Sequence, residues 1–155
     1  MTEPVQYDEP TAYHEAGHAV VALALHRPIH KVSVLPGRDL LGQCQFGKGP
    51  NRPTDDWIEN EMLIALGGLA AEARHTGRYD RLAAGRDLRY VRKLAVQRAG
   101  ERQADRLERR MLAKTENLLA DDANWRAVAA IAAELMKLGT ISGRAARHLY
   151  DREHR

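Results

Sequence analysis

The stretch Thr11-Ala-Tyr-His-Glu-Ala-Gly-His-Ala-Val-Val21 sets two histidines four residues apart, with a glutamate directly after the first, at the head of an apolar run. Positions i and i+4 of a helix differ by about 40° around the axis and about 6 Å along it, so the imidazoles of His14 and His18 leave one face and can converge on one ion. Glu15 stands about 100° round from His14, beside such an ion and out of line with it, where a general base for an activated water belongs. The same letters also fit two histidines that are simply hydrogen-bonded parts of a packed helix. The motif begins the most apolar helix of the chain, and an imidazole at a buried surface is costly unless bonded or ligated. Small Ala16 and Gly17 leave space between the histidines for a packing neighbour.

Working outward, residues 9–27 read as a helix, with Asp8 as N-cap, Pro10 in the first turn and Pro28 as the stop. Ile29 to Leu35 and Leu40 to Phe46 read as two strands joined through Pro36-Gly37, a pair suited to a type II turn, and residues 47–53 as a loop. Thr54, Asp55 and Asp56 start a second long helix, in which Ile58, Met62, Ala65, Leu66, Leu69 and Ala73 recur at helical spacing before Gly77. Gly67-Gly68 inside it costs about 1 kcal/mol per glycine relative to alanine, so something packs close to that backbone; the helix of the two histidines is the candidate. A loop at 78–84 precedes a helix from about Arg86 to Ala99 and a very polar one from Glu101 to Leu119, which the sequence leaves either separate or continuous. Asp121 and Asp122 cap a helix that Gly139 ends, and Ser142 caps a last one reaching Tyr150. The fold class is therefore mostly α (α+β), with one small β-ribbon.

Composition limits what such a chain does. Its 155 residues, 44% hydrophobic, suffice for one domain with a core, residues 1–8 being a flexible tail. Cys44 is the single cysteine, which rules out a disulfide or a Cys-rich zinc site within one chain and suits a reducing cytoplasm. The start, MTEPVQYDEP, lacks the basic and apolar regions of a secretory signal, and the apolar run Ala19 to Leu25 is far short of a membrane span. No Gly-rich Lys-Ser/Thr phosphate loop is present. The net charge is only +3, and the arginines from Arg78 to Arg110 alternate with acids as a solvated face does, so no nucleic acid is expected.

HEAGHAVVALAL resembles the metal-binding helix of the FtsH-type, M41-family zinc metalloproteases. Further stretches resemble the family in the same order: HRPIHKVSVLPGRDLLGQCQF its substrate-side β-ribbon, IALGGLAAEARHTG its LGGRAAE helix, AGRDLRYVRKLA its Asp-Leu segment, and ADDANWRAVAAIAAELMKLGTISG its closing helix. The resemblance spans about residues 10 to 150. It implies a zincin-like domain in which zinc is held by His14, His18 and Asp87, with Glu15 as catalytic base. In the sequence alone Asp87 also reads as an N-cap or dipole partner of its helix. Glu72 is a competing third ligand, better suited to orienting a histidine from outside. Leu40, Leu41, Gly42 and Gln43 would meet an extended substrate by main-chain pairing.

The family's transmembrane segment and ATPase domain have no counterpart in these 155 residues, and AVQRAGERQADRLERRMLAK stands where the family has a longer insertion. The expectation is a stand-alone, cytoplasmic zinc endopeptidase domain that cleaves flexible polypeptides through a zinc-activated water. A separate ATPase or adaptor is a possible partner, no membrane is engaged, and a homo-oligomer is left open. The rival is a non-catalytic zinc-binding adaptor or regulator that keeps the peptidase fold. An intact Glu15 speaks against it, because a binding-only descendant has no chemical need for a base there.

Overall fold

A computed structural model describes residues 6–35, 43–46, 50 and 52–155, with residues 43–46 described by their backbone. Helix α1 (Glu9–Ala24) opens as the sequence predicts: Asp8 accepts a hydrogen bond from the Thr11 N–H at 2.9 Å. A cap of this kind stabilises a helix by about 1 kcal/mol. The end differs from expectation. α1 stops at Ala24, short of Arg27, because His26 takes the left-handed conformation (φ 61°) and the N–H groups of His26 and Arg27 fold back onto the carbonyls of Leu23 and Ala22 at 3.0 and 2.8 Å. That closure usually falls to glycine, so a histidine performing it leaves no signal in the letters.

Strand β1 (Ile29–Ser33) follows and pairs antiparallel with β2 (Gln43–Phe46), Val32 opposite Cys44 and Ser33 opposite Gln43. The connection, with its expected Pro36-Gly37 turn, lies outside the described residues, as do residues 1–5 of the expected tail. Helix α2 (Asp55–Thr76) is capped by Thr54, which accepts from the Trp57 N–H, and closed by Gly77 at φ 87°. It is the central helix: every residue from Met62 to Ala73 is buried.

α1 lies against α2 at a seam too narrow for side chains. A methyl at Gly67 would stand 2.8 Å from the Gly17 carbonyl oxygen, and one at Gly17 would stand 2.5 Å from the Ala71 Cβ. The helix-propensity cost of Gly67 is thus offset by close approach of the histidine-bearing helix, as expected from the sequence. Valines 20 and 21, Met62, Leu66 and, from later helices, Val128, Ile131 and Leu135 form the core around this seam.

α3 (Gly85–Ala99) and α4 (Glu101–Ala120) are two helices, broken at Gly100 (φ 81°), which settles what the sequence left open. α5 (Asp122–Leu138) is capped by Asp121 and ends at Gly139, and α6 (Gly143–Glu153) is capped by Ser142. Between them Thr140–Ser142 forms β3, which the sequence reading missed. It pairs antiparallel with β1, Ile141 opposite Val32, so the ribbon is a sheet of order β2-β1-β3. Three residues after Gly139, the last of them the cap of α6, are too short a run to be read as a strand; they pair along the edge that β1 offers. The fold class stands, mostly α with a small sheet. Among the described residues no helix is long and apolar enough to cross a membrane.

Candidate metal centre

Three helices each deliver part of one polar cluster inside this apolar frame. α1 supplies His14, Glu15 and His18, all buried. α2 supplies Glu72 and the carbonyl of Ile64, and the first turn of α3 supplies Asp87. Among the described residues, His14, His18 and Asp87 form the group of His, Cys, Asp and Glu able to hold a metal ion, with ligand atoms all within 4.8 Å of one another.

Nε2 of His14 lies 2.9 Å and Nε2 of His18 3.1 Å from the same oxygen, Asp87 Oδ2. The two rings stand edge to face, centroids 4.8 Å apart. On their far sides, His14 Nδ1 faces Glu72 Oε2 at 3.1 Å, and His18 Nδ1 donates to the Ile64 carbonyl at 2.7 Å. Every ring nitrogen therefore faces an acceptor, and a neutral imidazole has only one N–H to give. With Nδ1–H committed outward, each Nε2 turns a lone pair toward a carboxylate oxygen. A cation between the two rings and Asp87 would relieve that arrangement, as would protons on these groups.

The pKa shifts carry the same message. Burial works against a charged His14, yet its hydrogen bonds to Asp87 and Glu72 outweigh that and push it up to about 10. His18 is likewise raised, burial being overcome by the Asp87 charge and hydrogen bond. Asp87 moves the other way: burial is overcome by the charge of His18 and the hydrogen bonds of His14 and His18, which hold its carboxyl well below the usual carboxylate range. The pocket is electrostatically built for positive charge between two imidazoles and one carboxylate.

The donor set of two imidazole nitrogens and one carboxylate oxygen, with each imidazole oriented by an outer acceptor, fits the zinc that the sequence resemblance implies and leaves one position open. Asp87, whose side chain is 28% exposed against 10% and 8% for His14 and His18, marks the side on which the site opens. Its capping role is not realised, since the N-cap position of α3 is Ala84, with no side-chain cap, and the Asp87 carboxylate faces the histidines. Beside the cluster, Glu15 Oε2 is buried with no hydrogen-bond partner. Burial pushes its carboxyl up, against the lowering pull of His18 and His14.

The cluster thus brings together His14, Glu15, His18, Glu72 and Asp87, the last 69 positions beyond His18 in the chain. Gln43 opens β2; Leu40, Leu41 and Gly42 lie outside the described residues. One contributor had no reading as a site residue: the Ile64 carbonyl is backbone and so invisible in side-chain patterns.

Residues 5–102 match the model of a family described as Peptidase family M41. Among curated proteins, the chain is similar to the ATP-dependent zinc metalloprotease FtsH of Pelobacter propionicus, 40% identical over 94 residues that make up 55% of this chain and 14% of that protein. It is also similar to the ATP-dependent zinc metalloprotease FtsH 4 of Sorangium cellulosum, 36% identical over 90 residues (55% of this chain, 14% of that protein). A third relative, the ATP-dependent zinc metalloprotease FtsH of Magnetococcus marinus, is 46% identical over 66 residues (40% of this chain, 10% of that protein). The chain spans about a seventh or less of the length of these relatives.

Proposed function

The chain belongs to peptidase family M41, and on that premise we propose that it is a zinc-dependent endopeptidase domain that cleaves flexible polypeptides. His14, His18 and Asp87 hold the zinc, and Glu15 is the base. The observation that carries this reading is the shared Asp87 oxygen facing both Nε2 atoms while both Nδ1 atoms are engaged elsewhere.

What zinc supplies when bound is Lewis acidity, which polarises the scissile carbonyl and acidifies water. Glu15 takes the proton of the attacking water on Oε2, the oxygen with no other partner, and delivers it to the leaving amine. Its raised pKa suits that exchange, since a carboxylate of ordinary basicity would take the water proton less readily. Glu72 and the Ile64 carbonyl fix the His14 and His18 rings. β2, an edge of the sheet, receives the substrate as an added strand through Gln43 and the adjoining Leu40, Leu41 and Gly42. Because no phosphate loop stands in these residues, they act on chains that are already flexible; unfolding of stable substrates falls to an ATPase or adaptor outside them.

Zinc-loaded protein at neutral pH should therefore cut a natively unstructured protein into peptides, with a tight chelator abolishing the cleavage. Intact substrate after long incubation across a broad panel, with zinc shown to be bound, would favour the adaptor. Asp87→Ala should lower zinc affinity well beyond the roughly 10- to 100-fold typical of losing an outer partner, and Glu72→Ala should stay within that range. Competition with a chromophoric chelator measures both. A reversed order would make Glu72 the third ligand and Asp87 its support.

A further inference from the structure

We propose that Gly68 is a positioning residue of the metal centre: its missing side chain is the space in which the Nε2 edges of His14 and His18 come together. The inference rests on the zinc reading above and extends it from the ligands to the wall behind them.

A Cβ at Gly68 would stand 2.5 Å from His14 Nε2, 2.5 Å from His18 Nε2 and 2.6 Å from His14 Cδ2. All three nearest atoms belong to the two histidines. Real Cβ atoms essentially never come within 3.0 Å of such neighbours, so each ring would have to retreat by at least about 0.5 Å. Metal–ligand distances tolerate only about 0.2 Å. The rings are also tethered to the helix that carries the glycine, His14 through Glu72 and His18 through the Ile64 carbonyl. A retreat that preserved one bond to the metal would break a tether or the other bond.

The neighbouring glycine separates the two roles. Gly67 is excluded from bearing a side chain by the backbone of Gly17 and the side chain of Val21, which is helix packing. At Gly68, one position on, the three nearest atoms are ring atoms of His14 and His18. Alanine, the better helix former, is barred there by the metal centre and not by the fold.

The test compares Gly68→Ala in two settings: the otherwise unchanged chain, and the chain carrying His14→Ala with His18→Ala. In the first, competition with a chromophoric chelator should show zinc affinity lowered by about 10- to 100-fold or more, and the visible spectrum of the cobalt-loaded protein should change. In the second, where the rings are gone, Gly68→Ala should raise the melting temperature of the metal-free protein, because the methyl fills vacated space in a helix that favours it. Unchanged zinc affinity would overturn the proposal. So would an equal drop in melting temperature in both settings, which would place the clash elsewhere. If Gly68→Ala fails to fold with the histidines present, recovery of folding in their absence supports the proposal and continued failure overturns it. A parent chain that binds no zinc would bring down the zinc reading, while the melting comparison would still decide whether Gly68 makes room for the rings.

Discussion

Glu15→Gln should reduce cleavage of a flexible polypeptide by about 100- to 10,000-fold while leaving one zinc bound per chain. Glutamine has the shape of glutamate and stays in the same buried space, so α1 and the two imidazoles keep their places. What is lost is the oxygen that takes a proton. Glu15 Oε2 has no partner in the packed protein, and a buried polar atom left unpaired is a cost that folding alone does not explain. The measurement is single-turnover cleavage with zinc content determined on the same sample. Loss of zinc in Glu15→Gln would turn the residue into a ligand or a support. Equal rates in the variant and the parent would remove it from the chemistry.

The parts of this molecule that could be read from letters are those in which a side chain announces its own job. Asp8, Thr54, Asp121 and Ser142 cap helices where the sequence puts them, because a short oxygen-bearing side chain ahead of an apolar periodic segment has one dominant use. The glycine pair in α2 announced a close neighbour and found it in Gly17. What stayed hidden was decided by tertiary structure. β3 is too short to be read from its letters and takes its place along the edge of β1. His26 closes α1 in a conformation its chemistry merely tolerates.

The centre divides the same way. His14, Glu15 and His18 are legible because one helical turn places them, and spacing is a local property. Asp87 is not: it reaches the histidines only because α3 packs alongside α2, and before that packing is known its position in a first helical turn reads equally as capping. Resemblance to a family singled it out, and the geometry then gave the reason, one carboxylate oxygen facing both imidazoles. The Ile64 carbonyl has no side-chain signature at all, yet its hydrogen bond fixes which nitrogen of His18 turns inward.

His14→Ala and His18→Ala should each cost the protein its zinc, with affinity lowered by more than about 100-fold, the upper range for losing an outer partner. Two remaining protein ligands seldom hold zinc. Because an ion bound by the folded chain and not by the unfolded one stabilises the fold, a 100-fold loss at saturating zinc removes about 2.7 kcal/mol. For a chain of this size that corresponds to roughly 5–10 °C in the zinc-dependent part of the melting temperature. The parent should thus melt higher with zinc than with chelator, and both variants should melt alike in the two conditions. The variants should also differ from each other without metal. Asp87 loses one of its two imidazoles in either variant; beyond that, His18→Ala takes the imidazole donor from the Ile64 carbonyl, whereas His14→Ala strips the buried Glu72 carboxylate of its partner. An unpaired buried carboxylate costs more than an unpaired carbonyl, so metal-free His14→Ala should be the less stable of the two. Scanning calorimetry with and without zinc decides both points. A zinc-dependent rise in melting temperature that survives in either variant would mean that the ion sits elsewhere.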